Sequence, residues 1–265
     1  MINFKQPANK LKITPVIYVS NKTFENINSN DIDSMAINSA KLLNELAGRQ
    51  KIQYQRIQID CDWTISTKQK YFSFLRSFKK ISHRNLEATI RLHQVKYKET
   101  TGVPPVSKGV LMFYNMGKLG ADAMLESSIY NKADAGKYIA YLPGYPLELD
   151  VALPLFSWAI HIRNGSVIQV YEKIKPAQLS KAGNFKRDGN LYTAKKNFFL
   201  SGVYIKENDI FKVEETDLGT LQNAAKQLAE SLPRKSNRTI IYYELSNLDP
   251  AEFSAEAILK VSDRF

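Results

Sequence analysis

Short apolar runs alternate along this chain with amphipathic segments of helical spacing, and this alternation constrains the fold more than any other feature. The run ITPVIYVS (13–20) has the length and the β-branched residues of a strand. The segment that follows, residues 31–48, ends at Gly48, a residue type that often follows a last helical turn. Its apolar stripe consists of Ile32, Ala36, Ala40, Leu43 and Ala47. Strands that alternate with helices are typical of an α/β fold with a parallel sheet.

The same pattern continues to the end of the chain. We predict strands at 13–20, 52–63, 86–95, 109–116, 149–158 and 239–245. A second helix begins at a cap formed by Ser66 or Thr67, and its apolar residues at helical spacing are Tyr71, Phe74, Leu75 and Phe78. Further helices are predicted at 120–131, 219–232 and 250–262.

A β-rich stretch interrupts this rhythm between His161 and about Glu215. It contains Asn164-Gly165, the strongest short signal of a β-hairpin, while Asp188-Gly189 and the segment 202–213 indicate further turns. We therefore predict two parts. Residues 1–160 and 217–265 form a (β/α) barrel, and residues 161–216 form a β-rich insertion.

Composition argues against several classes of protein. The net charge of +11 would suit nucleic acid, but no nucleic-acid-binding motif accompanies it, so the charges are interpreted as solvated faces. No apolar run has the length of a membrane span, and MINFKQPANKLKITP lacks the apolar stretch of a signal peptide. We thus expect a cytoplasmic protein, or an exported one if a segment precedes this chain. The single Cys61 excludes an internal disulfide.

Two aspartates lie one residue apart at the end of the second predicted strand. Side chains alternate across a strand, so Arg56, Gln58, Asp60, Asp62 and Thr64 share one face and Ile57, Ile59, Cys61 and Trp63 share the other. The next strand repeats the pattern, with Arg91 and His93 opposite Ile90 and Leu92. Polar inner faces on neighbouring strands are typical of a barrel mouth. They are also compatible with a charged network that only fills the barrel.

These residues resemble a known family. QIDCDWT (58–64) is similar to the end of the fourth barrel strand of chitinase-like glycoside hydrolases of family 18, whose motif is Asp-x-x-Asp-x-Asp-x-Glu. In the same order, MFYN (112–115), ALPLFS (152–157) and YYELSNLDP (242–250) resemble that family's sixth, seventh and eighth strands. The chain is also similar to an uncharacterised bacterial family of barrel proteins with an LDVALPLFSW-like segment.

The resemblance implies roles for individual residues. Asp60 and Asp62 match the aspartates that hold the substrate N-acetyl group and tune the acid, and Tyr114 matches the tyrosine beside that group. Asn115 stands in place of the neighbouring aspartate, and Tyr243 in place of a tryptophan that forms the floor of the sugar site. Asp60, Asp62 and Tyr114 are therefore the candidate catalytic residues. Candidate substrate-binding residues are Gln58, Arg91, His93, Asn115 and Tyr243.

One departure from the motif limits the inference. Thr64 stands where the family has the glutamate that protonates the glycosidic oxygen, and Ile57 replaces the first aspartate. A hydroxyl cannot replace a carboxylic acid as proton donor because its pKa is far from the working pH. We therefore predict a degenerate glycoside-hydrolase-like barrel that handles carbohydrate without chitinase chemistry.

Several alternatives remain open. Glu244 is a possible second carboxylate, although a surface or capping role is the simpler interpretation. A metal site made of His93, Asp60 and Asp62 fits by ligand type, but we predict neither a metal nor another cofactor. A second alternative is a non-catalytic lectin-like barrel that binds glycans without cleaving them. Its stacking surfaces would be Tyr114, Phe156, Trp158 and Tyr243. A structural or partner-binding barrel is the third alternative.

The order of the motifs also predicts an incomplete barrel. One strand precedes the aspartate strand where the family has three, and residues 1–12 are too few for two further βα units. We expect about six parallel strands, with an open edge at 13–20 through which the chain could associate with itself. Gln58, Asp60, Asp62, Arg91, His93 and Tyr114 should meet at the carboxyl ends of the strands, with Asp60 in contact with Arg91.

Overall fold

The computed structural model describes residues 11–122, 124–180, 183–232, 235, 237–244 and 252–265. Six parallel strands form one curled sheet that resembles an incomplete (β/α) barrel. The strands of this sheet and of the rest of the described chain are, in chain order, β1 (Val16–Tyr18), β2 (Arg56–Asp60), β3 (Asn85–Arg91), β4 (Lys108–Met112), β5 (Leu149–Pro154), β6 (Ser157–Arg163), β7 (Ser166–Tyr171), β8 (Phe185–Asp188), β9 (Leu191–Ala194), β10 (Phe198–Leu200), β11 (Val203–Ile205), β12 (Ile210–Glu215) and β13 (Ile240–Tyr243). The six parallel strands are β1 to β5 and β13.

Helices occupy most of the connections between the barrel strands. They are α1 (Asn21–Asn26), α2 (Ile32–Arg49), α3 (Lys68–Ser82), α4 (Leu92–Lys96), α5 (Lys98–Thr101), α6 (Lys132–Ile139), α7 (Pro176–Ser180), α8 (Leu218–Ala229) and α9 (Ala255–Ser262). Short 3-10 turns lie at Ser29–Asp31 and Leu142–Gly144.

The barrel sheet has the predicted incomplete form. Its strand order is β1-β2-β3-β4-β5-β13, so successive strands of this sheet along the chain are also neighbours in space. Among the described residues, β1 has a neighbour on one side only, and the side chains of Val16 and Tyr18 are exposed. The prediction of about six parallel strands with an open edge at β1 is confirmed.

The chain divides into two compact units. The first comprises Met1–Met112 and Gly144–Val151, and the second comprises Phe113–Pro143 and Ala152–Phe265. Each unit is described by itself.

The first unit is built around aromatic packing between β2 and α3. The indole of Trp63, just after β2, stacks on the ring of Tyr71 with their centroids 5.2 Å apart. Phe24 of α1 contacts Tyr71 and Phe74, at 5.4 and 5.8 Å. All four side chains are buried. The predicted stripe of α3 therefore faces the sheet, and the apolar face of β2 is the one that packs against helices.

The second unit contains the predicted β-rich structure. Five antiparallel strands form a sheet in the order β7-β6-β12-β9-β8, and β10 and β11 form a separate hairpin. The turn between β6 and β7 is Asn164-Gly165, and both residues have positive φ, as a two-residue hairpin turn of this kind requires. The core of this sheet includes Ile205, Phe211, Tyr192, Leu179 and Phe185.

The observed barrel strands are shorter than predicted, and two of the predicted strands include other structure. The strand predicted at 86–95 ends at Arg91, and α4 begins at Leu92 because the side chain of Gln94 accepts the backbone N–H of Arg91, at 2.8 Å. His93 therefore lies on a helix, so strand alternation does not place it beside Arg91. The strand predicted at 149–158 is two strands, and the first ends at Pro154, which has no N–H to donate to a neighbour.

The helix predicted at 120–131 is absent from the described residues of that stretch. The backbone groups of this stretch form hydrogen bonds outside any helix. The N–H of Ser128 donates to the carboxylate of Glu214, at 2.9 Å, and the carbonyl of Ile129 accepts from the N–H of Asn115, at 2.8 Å. The helices predicted at 219–232 and 250–262 correspond to α8 and α9. Leu245, the start of the last helix prediction and most of YYELSNLDP lie outside the described residues.

A buried ion network joins β6 to the turn before β12. Asp209, 1% exposed, accepts from Arg163 at 2.7 Å through two nitrogens, from the Nε2 of His161 at 2.8 Å and from the backbone N–H of Lys206 at 2.7 Å. Burial alone would raise the pKa of Asp209, but these donors outweigh it and lower the pKa to about 2. The carboxylate therefore stabilises the folded state only while it is ionised.

Asp209→Asn should lower the free energy of unfolding by about 2 kcal/mol near neutral pH. Because the folded pKa of about 2 lies below the unfolded value of about 3.9, this stability is present above that unfolded value and is lost as the pH falls toward 2. Urea denaturation at pH 7 and near pH 2 measures the free energy of unfolding at each pH. Asp188→Asn, at an exposed site on β8, is the control. A loss for Asp209→Asn that does not depend on pH would contradict the assignment.

Candidate functional site

The end of β2 separates polar from apolar side chains as predicted. Ile57, Ile59, Cys61 and Trp63 are at most 1% exposed, whereas Gln58 and Asp60 are half-buried and Asp62 is exposed. In the parallel register, Gln58 lies beside Val16 on one strand and Glu87 on the other. The polar face is therefore opposite the helix layer, on the inner side of the curled sheet.

The two aspartates have different partners. Asp60 accepts a hydrogen bond from the hydroxyl of Thr89 on β3, at 2.8 Å. Asp62 forms an ion pair with Arg91, whose Nε lies 3.1 Å from its Oδ1. The predicted contact between Asp60 and Arg91 is wrong. Successive residues rise by about 3.3 Å along a strand, and Arg91 is two residues beyond Thr89, so it reaches the level of Asp62.

His93 lies near this ion pair. Partial burial lowers the pKa of His93, the charge of Asp62 opposes this shift and that of Arg91 adds to it. The residue as a whole remains exposed, so water screens these interactions. A largely neutral imidazole beside Asp62 and Arg91 can donate or accept a hydrogen bond from a polar ligand.

Thr64, at the position of the missing acid, belongs to a network of hydroxyl groups. Its Oγ1 lies 2.9 Å from the hydroxyl of Ser66 and 3.2 Å from that of Thr67. Thr67 in turn donates to the side-chain carbonyl of Asn21, at 2.6 Å. These contacts shape the turn into α3. In the first unit this turn holds hydroxyl and amide groups, none of which titrates as a carboxylic acid does.

Other charges on the inner face are also paired. Arg56 contacts Glu87 at 2.9 Å, and Lys108 contacts Asp150 at 2.5 Å. Glu87 and Asp150 are buried. These pairs lie toward the amino ends of the strands and satisfy one another, so they fill the inner face. The carboxyl-end groups Asp60, Asp62, Arg91 and His93 are more exposed and are the ones that a ligand could reach.

The second unit brings four predicted aromatic residues together. We call Tyr114, Phe156, Trp158 and Tyr243 the aromatic cluster. The rings of Tyr114 and Tyr243 stack with centroids 5.3 Å apart and planes 7° apart. Phe156 meets both of them edge-on, at 5.7 and 5.9 Å, and contacts Trp158 at 5.3 Å. Tyr243 is 47% exposed while Tyr114 is 5% exposed.

A buried carboxylate supports the aromatic cluster. Glu214 accepts from the indole N–H of Trp158 at 3.0 Å, from the hydroxyl of Ser128 at 2.5 Å and from Lys212 at 3.1 Å. Both Glu214 and Lys212 are buried. These bonds fix the orientation of Trp158, because a buried carboxylate without partners would be costly.

The remaining candidates are placed less centrally. Asn115 follows β4 with a positive φ of 53° and is exposed. Whether Tyr114 joins the residues at the end of β2 stays a prediction. Sequence reasoning missed Thr89, Gln94 and Glu214. The alternation Glu87, Thr89, Arg91 could have indicated the first, but nothing local indicates the other two.

Two general features of the described residues bear on chemistry. No group of three or more His, Cys, Asp or Glu side chains among them is arranged to hold a metal ion. Within the same described part, every helix is too short or too polar to cross a bilayer.

Cys61 tests the assignment of the two faces, because it lies between the aspartates but on the apolar side. Burial, together with the charges of Asp62 and Asp60, raises the pKa of this thiol to about 12. We expect Ellman's reagent at pH 8 to leave the native protein unmodified and to modify one thiol after unfolding. Ile65→Cys, at an exposed position, should react at once in a Cys61→Ser background. Rapid reaction of native Cys61 would show that its face of β2 is exposed, and it would contradict the assignment of the aspartates to the accessible face.

Several solved structures align with this chain. The spore cortex-lytic enzyme SleL of Bacillus cereus aligns with a TM-score of 0.53 at 16% sequence identity, over 95% of this chain and 59% of SleL. A GH18 chitinase of Cycas revoluta, solved as a mutant with (GlcNAc)4, aligns with a TM-score of 0.49 at 12% identity, over 95% and 80% of the two chains. Catalytic domain 2 of a group II chitinase of Ostrinia furnacalis gives 0.45 at 10% identity, over 90% and 72%.

No protein-family model matches the chain, and no curated protein matches it in sequence. The chain spans 59% of the length of SleL. At such low identity the likeness concerns the fold and not the activity. The chain has an incomplete (β/α) barrel fold that is similar to the fold of SleL.

Proposed function

We propose that this protein binds carbohydrate through the aromatic cluster and does not hydrolyse chitin. The observation that carries the proposal is the stacked pair Tyr114–Tyr243, in which a buried ring supports a ring that is 47% exposed. A sugar ring has an apolar face of C–H groups, and a flat aromatic ring held in place can cover that face at little entropic cost.

The rigidity of this platform favours binding. Phe156 contacts Tyr114 and Tyr243 edge-on, and Glu214 holds Trp158, which packs on Phe156. The aromatic rings are therefore arranged before any ligand arrives. A single exposed tyrosine without such support would lose side-chain entropy on binding.

The lack of an acid at Thr64 argues against chitinase chemistry. Hydrolysis of a glycoside needs a proton donor for the leaving oxygen and a second carboxylate on the other side of the bond. Asp60 and Asp62 supply carboxylates, but Thr64 and its neighbours Ser66 and Thr67 supply only hydroxyl groups. In the first unit, the candidate catalytic residues Asp60 and Asp62 are thus proposed as ligand-binding residues, with Gln58, Arg91 and His93. In the second unit, Tyr114, Asn115 and Tyr243 are proposed as ligand-binding residues of the aromatic platform.

Tyr243→Ala should weaken the binding of short chitooligosaccharides at least about tenfold, because it removes the exposed ring of the platform. Isothermal titration calorimetry or intrinsic tryptophan fluorescence measures the dissociation constant. Tyr141→Ala is a matched control, since Tyr141 is also 47% exposed and lies in the same unit but is not a member of the aromatic cluster.

Equal losses in both variants would show that the aromatic cluster is not the binding site. No response to any glycan would remove the carbohydrate proposal and would favour a structural or partner-binding role. The exposed edge of β1, with Val16 and Tyr18, is then the surface to examine for self-association.

The unmodified protein should release no product from an activated N-acetylglucosaminide, whereas Thr64→Glu restores the carboxylic acid of the motif. We expect slow cleavage in this variant if the rest of the geometry is preserved. Adding Asp62→Asn should then abolish it, since a carboxylate that assists the acid typically contributes a hundredfold or more. A chromogenic assay measures the rate, with Thr64→Gln as the control of equal size.

Hydrolysis by the unmodified protein would contradict the proposal of a non-catalytic role. Asp60→Asn and Asp62→Asn then decide whether the end of β2 is responsible. A loss below about tenfold in both would exclude these aspartates from catalysis.

A further inference from the structure

The hairpin formed by β10 and β11 carries apolar side chains on both of its faces. Among the described residues its two strands pair only with each other, in a register that places Phe199 opposite Tyr204. Side chains alternate along a strand, so these two residues share one face, which we call the outer face. An antiparallel pair of strands commonly turns a polar face to water, so an aromatic outer face is unusual. The residues of the inner face are Phe198, Leu200, Val203 and Ile205.

The inner face holds the hairpin on the core of the second unit. Ile205 is fully buried, and Leu200 and Val203 pack against the buried cluster of the antiparallel sheet. The ring of Phe198 meets the ring of Phe185 edge-on, with their centroids 5.3 Å apart. These contacts already anchor the hairpin, so the aromatic residues of the outer face are not needed to pack it.

Hydrogen bonds fix both ends of the hairpin. In its turn, Ser201 has a positive φ of 49°, and its hydroxyl lies 3.2 Å from the side-chain nitrogen of Gln178, which donates to it. At its base, Arg163 donates to the carbonyl of Tyr204 at 3.3 Å and is itself held by buried Asp209. The outer face therefore has one orientation before any partner arrives, which lowers the entropic cost of binding.

The outer face combines exposed aromatic rings with nearby cations. Phe199 is 72% exposed and Tyr204 is 44% exposed, and their ring centroids lie 5.1 Å apart. One exposed carboxylate, that of Glu207, lies within four residues of either ring in the sequence. The exposed ammonium groups within the same distance along the chain are those of Lys195, Lys196 and Lys206. An apolar surface with cations beside it is complementary to an anionic surface that covers an apolar layer.

We propose that the hairpin docks on the surface of an anionic lipid bilayer. Phe199 enters the boundary between the headgroups and the acyl chains. Tyr204 lies at the level of the headgroups, where an aromatic ring with one polar end is favoured. The neighbouring lysines contact the anionic headgroups. This inference goes beyond the proposed carbohydrate binding and does not depend on it.

The geometry of the two rings favours a bilayer over a glycan or a nucleic acid. A sugar ring or a base stacks on a flat aromatic surface. The rings of Phe199 and Tyr204 are inclined by 49° to each other, so they form no common plane, whereas the rings of Tyr114 and Tyr243 are inclined by only 7°. The fluid interior of a bilayer accepts apolar rings at any inclination.

The charges disfavour a second copy of this chain as the partner. Two outer faces that meet would bring the same lysines together, and like charges repel across an interface. Anionic headgroups attract these lysines instead.

The test measures co-sedimentation of the protein with vesicles of phosphatidylcholine alone and with vesicles of equimolar phosphatidylcholine and phosphatidylglycerol. We expect binding to the anionic vesicles only, and weaker binding as the salt concentration rises. Phe199→Ser should lower the partition coefficient at least about tenfold, because it removes the inserted ring. Leu259→Ser is the matched control, since Leu259 is 61% exposed on α9 of the same unit.

Two further sets of variants separate insertion from attraction by charge. Lys196→Gln and Lys206→Gln should each weaken binding about fivefold, whereas Lys226→Gln, which removes an exposed charge from α8, should have a smaller effect. In Phe199→Trp, lipids brominated on their acyl chains should quench fluorescence beyond the quenching of the native tryptophans. Leu259→Trp should show no such increase.

Several outcomes would overturn the inference. They are no binding to anionic vesicles, equal losses in Phe199→Ser and Leu259→Ser, and binding without added quenching in Phe199→Trp. Retention on an acidic polysaccharide or on single-stranded DNA that Phe199→Ser weakens, without vesicle binding, would assign the hairpin to another partner. Phe199→Ser should keep the affinity for chitooligosaccharides, so the proposed function is tested separately. The thermal unfolding midpoint of each variant shows whether its fold is intact.

Discussion

The packing of β2 on α3 is the interaction on which the first unit depends. Trp63 stacks on Tyr71, and Ile57, Ile59 and Cys61 are completely or almost completely buried on the same face. Side chains alternate along a strand, so burial of this face places Asp60 and Asp62 on the other one. A shift of one residue in register would put two carboxylates into an apolar layer, at a cost of several kcal/mol each. The position of the aspartates is therefore a consequence of the core.

The inner face of the sheet then divides by position along the strands. Toward the amino ends, buried Glu87 and Asp150 are paired with Arg56 and Lys108. Toward the carboxyl ends, Asp62 and its partner Arg91 are open to solvent. The paired charges fill space that a complete barrel of this type fills with side chains. Solvent reaches Asp62 and Arg91 at the carboxyl end, which is where barrels of this fold place their sites.

In the second unit a different buried charge organises the surface. Glu214 joins Trp158, Ser128 and Lys212, and it thereby fixes one end of the aromatic cluster. The next residue, Glu215, is exposed. Strand alternation explains the contrast, because neighbouring side chains of β12 point to opposite faces. Glu214 is therefore part of the core, whereas Glu215 faces solvent.

Local pattern alone determined much of this protein. Alternating apolar and amphipathic segments predicted the parallel sheet, period-two spacing predicted the two faces of β2, and Asn164-Gly165 predicted the hairpin. Only the tertiary structure decided which groups meet. Arg91 pairs with Asp62 rather than Asp60 because of the register of β3, and α4 begins at Leu92 because Gln94 caps it. The aromatic cluster joins residues far apart in sequence. Such contacts depend on how strands and loops are brought together in space, which short-range spacing does not encode.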